Sequence, residues 1–123
     1  MYLIDWRKSI YKIKITKRAE TDLEIIGDYI AYELSNPMAA YEVIRGIRKK
    51  INELKDFPER NRIEEDTILA KWNVRKAFYQ KYRIYYVIDY SAKIVYVIHS
   101  LHMLTDSNAR LHDLMSRGDD DNV

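Results

Sequence analysis

The chain has 123 residues, 47% of them hydrophobic, with only three Gly and two Pro; this suits one domain around one core and excludes a disordered or low-complexity chain. It has no cysteine, which removes disulfides, thiolate zinc sites and cysteine nucleophiles together. The 21 basic and 19 acidic residues nearly balance, so overall charge does not mark a nucleic-acid binder.

Charge is unevenly placed, however. Three acids form Asp119-Asp120-Asp121, and many of the cations fall between Arg45 and Arg83, so a basic face is conceivable beside the simpler reading of a solvated one. No segment approaches the roughly 18 apolar residues that span a bilayer. Met1–Ile10 carries Asp5, Arg7 and Lys8 where a signal peptide needs an apolar stretch. The expectation is a cytoplasmic protein with no membrane partner.

In chain order, Tyr11-Lys12-Ile13-Lys14-Ile15 alternates apolar and charged side chains, the period of a strand with one buried face. Thr16 can cap a helix, and Ala19, Leu23, Ile26 and Ile30 then recur at helical steps, predicting a first helix over residues 17–34. Ser35-Asn36-Pro37 stops that helix and starts another. Ala40, Ile44, Ile47, Ile51 and Leu54 continue the stripe, so the second helix must fold back antiparallel and end near Phe57-Pro58.

From Glu59 to Lys71 the chain is charged and aperiodic, which predicts a connecting loop. Three strands are then expected: Trp72–Tyr79, Tyr82–Asp89 after Gln80-Lys81, and Lys93–Leu101 after the Tyr90-Ser91-Ala92 break. The order predicts an α+β fold in which a helical hairpin packs on one face of the sheet and leaves the other open. A single domain over residues 1–123 follows, with its core at 11–106. In the tail, Leu111, Leu114 and Met115 suggest a short helix over Asp106–Met115, followed by a disordered end.

Several pieces in this order resemble the RelE/ParE toxin superfamily of type II toxin-antitoxin systems. They are Ala19-x-x-Asp22-Leu23-x-x-Ile26-x-x-Tyr29-Ile30, Pro37 and Ala40, and Ile47-x-x-x-Ile51-x-x-Leu54-x-x-Phe57-Pro58. Arg75, Tyr82-Arg83-Ile84-x-Tyr86-x-Ile88-Asp89, Val95-x-Val97 and His102 continue the series. The long first two helices, Pro37, Pro58 and the His102 ending place the resemblance closer to the ParE-like branch. One departure is Thr105, where ParE-like proteins commonly have an arginine three residues after the histidine.

The resemblance implies a cytoplasmic toxin that is neutralised by a cognate antitoxin, inhibits growth and serves plasmid stabilisation. Its ParE-like form binds a target such as DNA gyrase and needs no catalytic residue. Its RelE-like form is a metal-independent endoribonuclease that cuts messenger RNA on the ribosome, a 2′-hydroxyl attacking the neighbouring phosphate. A third form is an inactive homologue that only binds antitoxin. No small-molecule cofactor and no metal is expected in any of them.

Phosphate cleavage needs cations to stabilise developing charge and a group that moves protons. If Tyr82, Ile84, Tyr86 and Ile88 face the helices, alternation turns Arg83, Tyr85, Val87 and Asp89 to the open face. Arg83 is then the first phosphate-binding candidate, Arg75 on the adjacent strand can join it, and His102 is the proton carrier ahead of His99.

Each has a plainer reading. The arginines can be solvated or hold the antitoxin, and His102 can make a structural hydrogen bond at a strand end. Tyr79 and Tyr85 could stack on bases, but among 11 tyrosines most must pack. Arg45, Arg48, Lys49 and Lys50 spread around the polar side of the second helix, as a solvated face would. No phosphate-cradling glycine loop, His/Glu metal spacing or nucleophile elbow is present.

Overall fold

A computed structural model describes residues 11–105 and 107–117. The expected disorder at the end of the chain, and the charged Met1–Ile10 segment, lie outside them. Strand β1 (Lys12–Ile15) leads into helix α1 (Lys17–Asp28), whose first turn is capped by Thr16 through its hydroxyl, 3.2 Å from the Ala19 amide. The helix predicted to reach residue 34 widens into a π turn over Tyr29–Glu33. That turn closes through the Leu34 amide on the Tyr29 carbonyl and the Asn36 amide on the Ile30 carbonyl, both at 3.1 Å. Ser35 takes a left-handed φ of 50°, and Asn36 caps helix α2 (Pro37–Glu53) by accepting from the Ala39 amide at 3.1 Å. The hairpin is thus reversed within three residues.

Arg60 closes the C-terminal end of α2, donating to the carbonyls of Glu53, Asp56 and Phe57. The stretch predicted as plain loop holds a 3₁₀ turn (Pro58–Arg60) and the short helix α3 (Thr67–Lys71). Five residues are too few to show a period, and one isolated turn is unstable by itself. Tertiary burial of Leu69 and the Asp66 cap, which accepts from the Ile68 and Leu69 amides, supply the order that propensity lacks. Because α3 ends at Trp72, β2 begins three residues later than predicted, at Arg75–Tyr79.

Strands β2, β3 (Tyr82–Asp89) and β4 (Ile94–His102) form the expected antiparallel meander. β1 pairs in parallel with β4, giving the order β1-β4-β3-β2. The α1–α2 hairpin covers one face, burying Leu23, Ile26, Ile47 and Ile51 against Ile84, Tyr86, Val95 and Val97. Gly46 lets the hairpin come this close at its edge, since a methyl there would collide with the Tyr79 phenol.

The opposite face is not open as expected. α3 and the terminal helix α4 (Ser107–Arg117) lay Leu69 and Leu111 over Tyr85, Ile98 and Leu101 in a second, smaller core. The predicted tail helix exists, and its apolar side is what covers this face.

α3 and α4 are tied through Asp66, which accepts from His112 Nε2 at 2.9 Å and from the Asn108 side-chain amide at 3.4 Å. Chiefly through the His112 bond, and through the Leu69 amide, Asp66 is held below its ordinary pKa of 3.8. A carboxyl with a lowered folded-state pKa stabilises above its unfolded value, and that contribution is lost as pH falls through the folded one. Amide protection of α4 should therefore weaken as pH drops below the ordinary carboxylate range, and His112→Ala should return the Asp66 titration toward 3.8. Hydrogen exchange and carboxylate NMR titration measure the two; an Asp66 titration identical in His112→Ala and the parent would show that the contact is absent in solution.

Candidate functional site

The sheet places the three candidate residues by register. The two-residue turn at Gln80-Lys81, with Gln80 at a φ of 52°, pairs Tyr79 with Tyr82 and therefore Arg75 with Tyr86. Tyr86 faces the helical hairpin, so Arg75 does too. There it donates to the Asn61 carbonyl at 2.6 Å and the Glu59 carbonyl at 3.4 Å. The Tyr86 hydroxyl joins the same clasp, donating to the Pro58 carbonyl at 2.6 Å and accepting from the Asn61 amide at 3.2 Å. Burial pushes the Tyr86 phenol pKa up, with Asn61, Arg75 and Arg60 pulling the other way. Arg75 thus anchors the segment that links α2 to β2.

Arg83 lies opposite Phe78 on β2 and Leu101 on β4, on the face away from the hairpin. His102 lies opposite Tyr82, their rings edge to face with centroids 5.3 Å apart. A β-bulge causes the separation. β3 and β4 pair in one register from Asp89↔Ile94 to Tyr86↔Val97, then shift so that Tyr85 meets His99 and Ile98 is the extra residue. Without the shift, His102 would fall beside Lys81 and on the Arg83 face; one extra residue sends it to the other.

The His102 imidazole is also engaged: its Nδ1 accepts from the Leu104 amide at 3.1 Å, which assigns the neutral ring's proton to Nε2. So Arg75, Arg83 and His102 are not brought together. Tyr85, a candidate for stacking, is buried in the second core, and Tyr79 lies against α2. In the basic run on α2, Arg48 pairs with Glu20 at 2.8 Å and Lys50 with Glu53 at 3.8 Å. The Glu20 hydrogen bond holds the Arg48 pKa up. Among the described residues no group of three or more His, Asp or Glu side chains could hold a metal ion, and no helix is long and apolar enough to cross a membrane.

Sequence reasoning missed the pair Asp22 and His99. Both are buried, the His99 Nδ1 contacting the Asp22 carboxylate, and the same oxygen accepts from the Ser100 amide at 2.9 Å. The available signal was a carboxylate on the apolar stripe of α1, between Ala19 and Leu23; its partners lie 77 and 78 residues away. Beside this pair a groove of about 600 Å³ runs between α1 with its π turn and the ends of β3 and β4, reaching Arg110 of α4. Tyr82 lines it, and burial, then Tyr29, raises the Tyr82 pKa.

This arrangement is the fold of the RelE/ParE toxins. A chain of the chromosomal ParDE toxin-antitoxin system from P. aeruginosa superposes with a TM-score of 0.64 at 17% identity, over 77% of this chain and 98% of that one. A chain of the RelBE2 toxin-antitoxin complex from Mycobacterium tuberculosis gives 0.57 at 18% identity, over 75% and 96%. Residues 13–106 match the family model described as the ParE toxin of type II toxin-antitoxin system, parDE, and the chain belongs to that family. No curated protein shows significant sequence similarity to it.

Replacing Asp22 by Ala would leave the Ser100 amide and the His99 ring buried without their acceptor, at about 1–3 kcal/mol for each unpaired donor. Urea unfolding of Asp22→Ala should show a loss on the order of 2–4 kcal/mol, while exposed Asp28→Ala stays within about 0.5 kcal/mol of the parent. Equal, small effects would mean that Asp22 does not tie α1 to β4.

Proposed function

We propose that this toxin, held in check by a cognate antitoxin, inhibits growth by gripping a protein target such as DNA gyrase and not by cutting RNA. The observation that carries the reading is the dispersal of the candidate catalytic groups. A metal-independent ribonuclease needs its cation and its proton-transfer group within hydrogen-bond reach of one phosphate. Here Arg83 sits on one face of the sheet, whereas His102 and Arg75 sit on the other, opposite Tyr82 and Tyr86, four residues apart along β3.

The His102 lone pair that would take a proton is spent on the Leu104 amide, and Arg75 is spent on two carbonyls. Binding a protein requires none of these groups. The ParE family match points the same way, and the antitoxin partner is supported by the solved neighbours, which are described as toxin-antitoxin systems.

Uncontrolled expression should stop bacterial growth, and co-expression of a short adjacent reading frame encoding the antitoxin should restore it. Arg83→Ala and His102→Ala should each remain toxic. Growth unaffected by confirmed soluble protein would overturn the toxin reading. Messenger RNA cut within codons on translating ribosomes, and abolished by His102→Ala with circular dichroism unchanged, would establish the nuclease instead.

A further inference from the structure

The two ends of the α1–α2 hairpin carry opposite charge. From Ala19 to Ile44, through most of α1, the π turn and the first half of α2, the chain has no Lys, Arg or His; Arg45, Arg48, Lys49 and Lys50 then follow in the second half. Among the acids of that stretch, Glu20 is held by Arg48 and Asp22 by the Ser100 amide. Glu24, Asp28, Glu33 and Glu42 are exposed, and none of these four is in a salt bridge among the described residues. The whole chain has a formal charge of +2, so the acidity is local to the closed end of the hairpin.

Large side chains stand in solvent among these acids. Tyr32 is 75% exposed on the π turn, and Met38 and Tyr41 are 68% and 62% exposed on the first turns of α2. Met38, Tyr41 and Glu42 share one helix face at i, i+3 and i+4, and the reversal at Ser35-Asn36 brings Tyr32 to the same end. The core at this end is already filled by Ile30 and Ala40, and apolar surface left in water contributes nothing to folding. None of the three lines the groove beside Asp22, so the tip is a surface of its own. Tyr and Met are enriched at the centres of protein interfaces, with charge kept to the rim. The π turn gives up regular helical bonding here, a departure found most often at functional sites.

We infer that the closed end of this hairpin is the surface that grips the toxin's target, Tyr32, Met38 and Tyr41 anchoring the contact while Glu33 and Glu42 meet Lys and Arg side chains of a basic protein surface. The inference rests on the protein-target reading above and adds which surface is used and the chemistry that it recognises. Charge selects the occupant. A nucleic acid or an anionic bilayer is repelled by the exposed carboxylates, and so is the acidic tip of a second copy. A protein that handles DNA, as gyrase does, needs Lys and Arg surfaces to hold phosphates, and such a surface has the sign that the tip requires. Each tyrosine offers an apolar ring and a hydroxyl that can pair at the wet edge of the contact.

The test is a gyrase supercoiling assay at two salt concentrations, with the full chain and its variants as inhibitors. Tyr32→Ala and Tyr41→Ala should each raise the half-inhibiting concentration by about tenfold or more, as truncation of a central anchor does. Glu33→Lys and Glu42→Lys should raise it too and make inhibition less sensitive to salt. Phe78→Asp, exposed on the sheet face away from the hairpin, should match the parent, with thermal melts confirming that all five variants fold. A parent that inhibits gyrase no better than the four tip variants overturns the tip and leaves the protein-target reading standing. Potency lost in the tyrosine variants alone overturns the basic partner. A parent without effect on gyrase overturns both the reading and the inference. A parent that self-associates, and is made monomeric by Glu42→Lys, assigns the tip to the basic half of α2 in a second copy and overturns the proposal.

Discussion

The carboxylate of Asp22 sits where the sheet runs out of strands. β1 is only four residues long and its last pairing is Ile15 with Val97, while β4 continues to His102. Beyond Val97 the β4 edge is covered by α1, out of reach of water, and a buried amide there would be left unpaired. Asp22, projecting from α1, accepts from the Ser100 amide and contacts His99. A buried carboxylate is costly unless it is hydrogen-bonded, so the arrangement is stable only when helix and strand are in this one alignment. It allows α1 to lie along β4 without a fifth strand, and the space left between the π turn and the strand ends becomes the apolar groove.

The large-scale fold was legible because its signals are local. Period-2 alternation marked the strands, helical steps from Ala19 to Leu54 marked the hairpin, and Gln80-Lys81 and Tyr90-Ser91-Ala92 marked the turns. α3 escaped because it is a single turn whose order comes from burying Leu69 in the second core. The closed second face was hidden for the same reason. It depends on where a brief apolar side, Leu111 with Leu114 and Met115, comes to rest.

The candidate site was legible in part. Alternation set Arg83 on the face away from the hairpin, and the two-residue turn contained enough to put Arg75 on the other. His102 could not be assigned, because a bulge at Ile98 reverses the facing of everything after it and leaves no mark in a run of β-branched and aromatic residues. Asp22 was visible as an acid on an apolar stripe, but a partner 77 residues away belongs to tertiary structure alone. The same bulge keeps His102 off the face of the sheet that carries Arg83.

The central claim, that this toxin acts by holding a protein target, is tested most directly by titrating the purified chain into a DNA gyrase supercoiling assay, with ribosome-dependent messenger RNA cleavage followed in parallel. The account predicts dose-dependent loss of supercoiling and intact message. Unaffected gyrase together with message cut on the ribosome would contradict it.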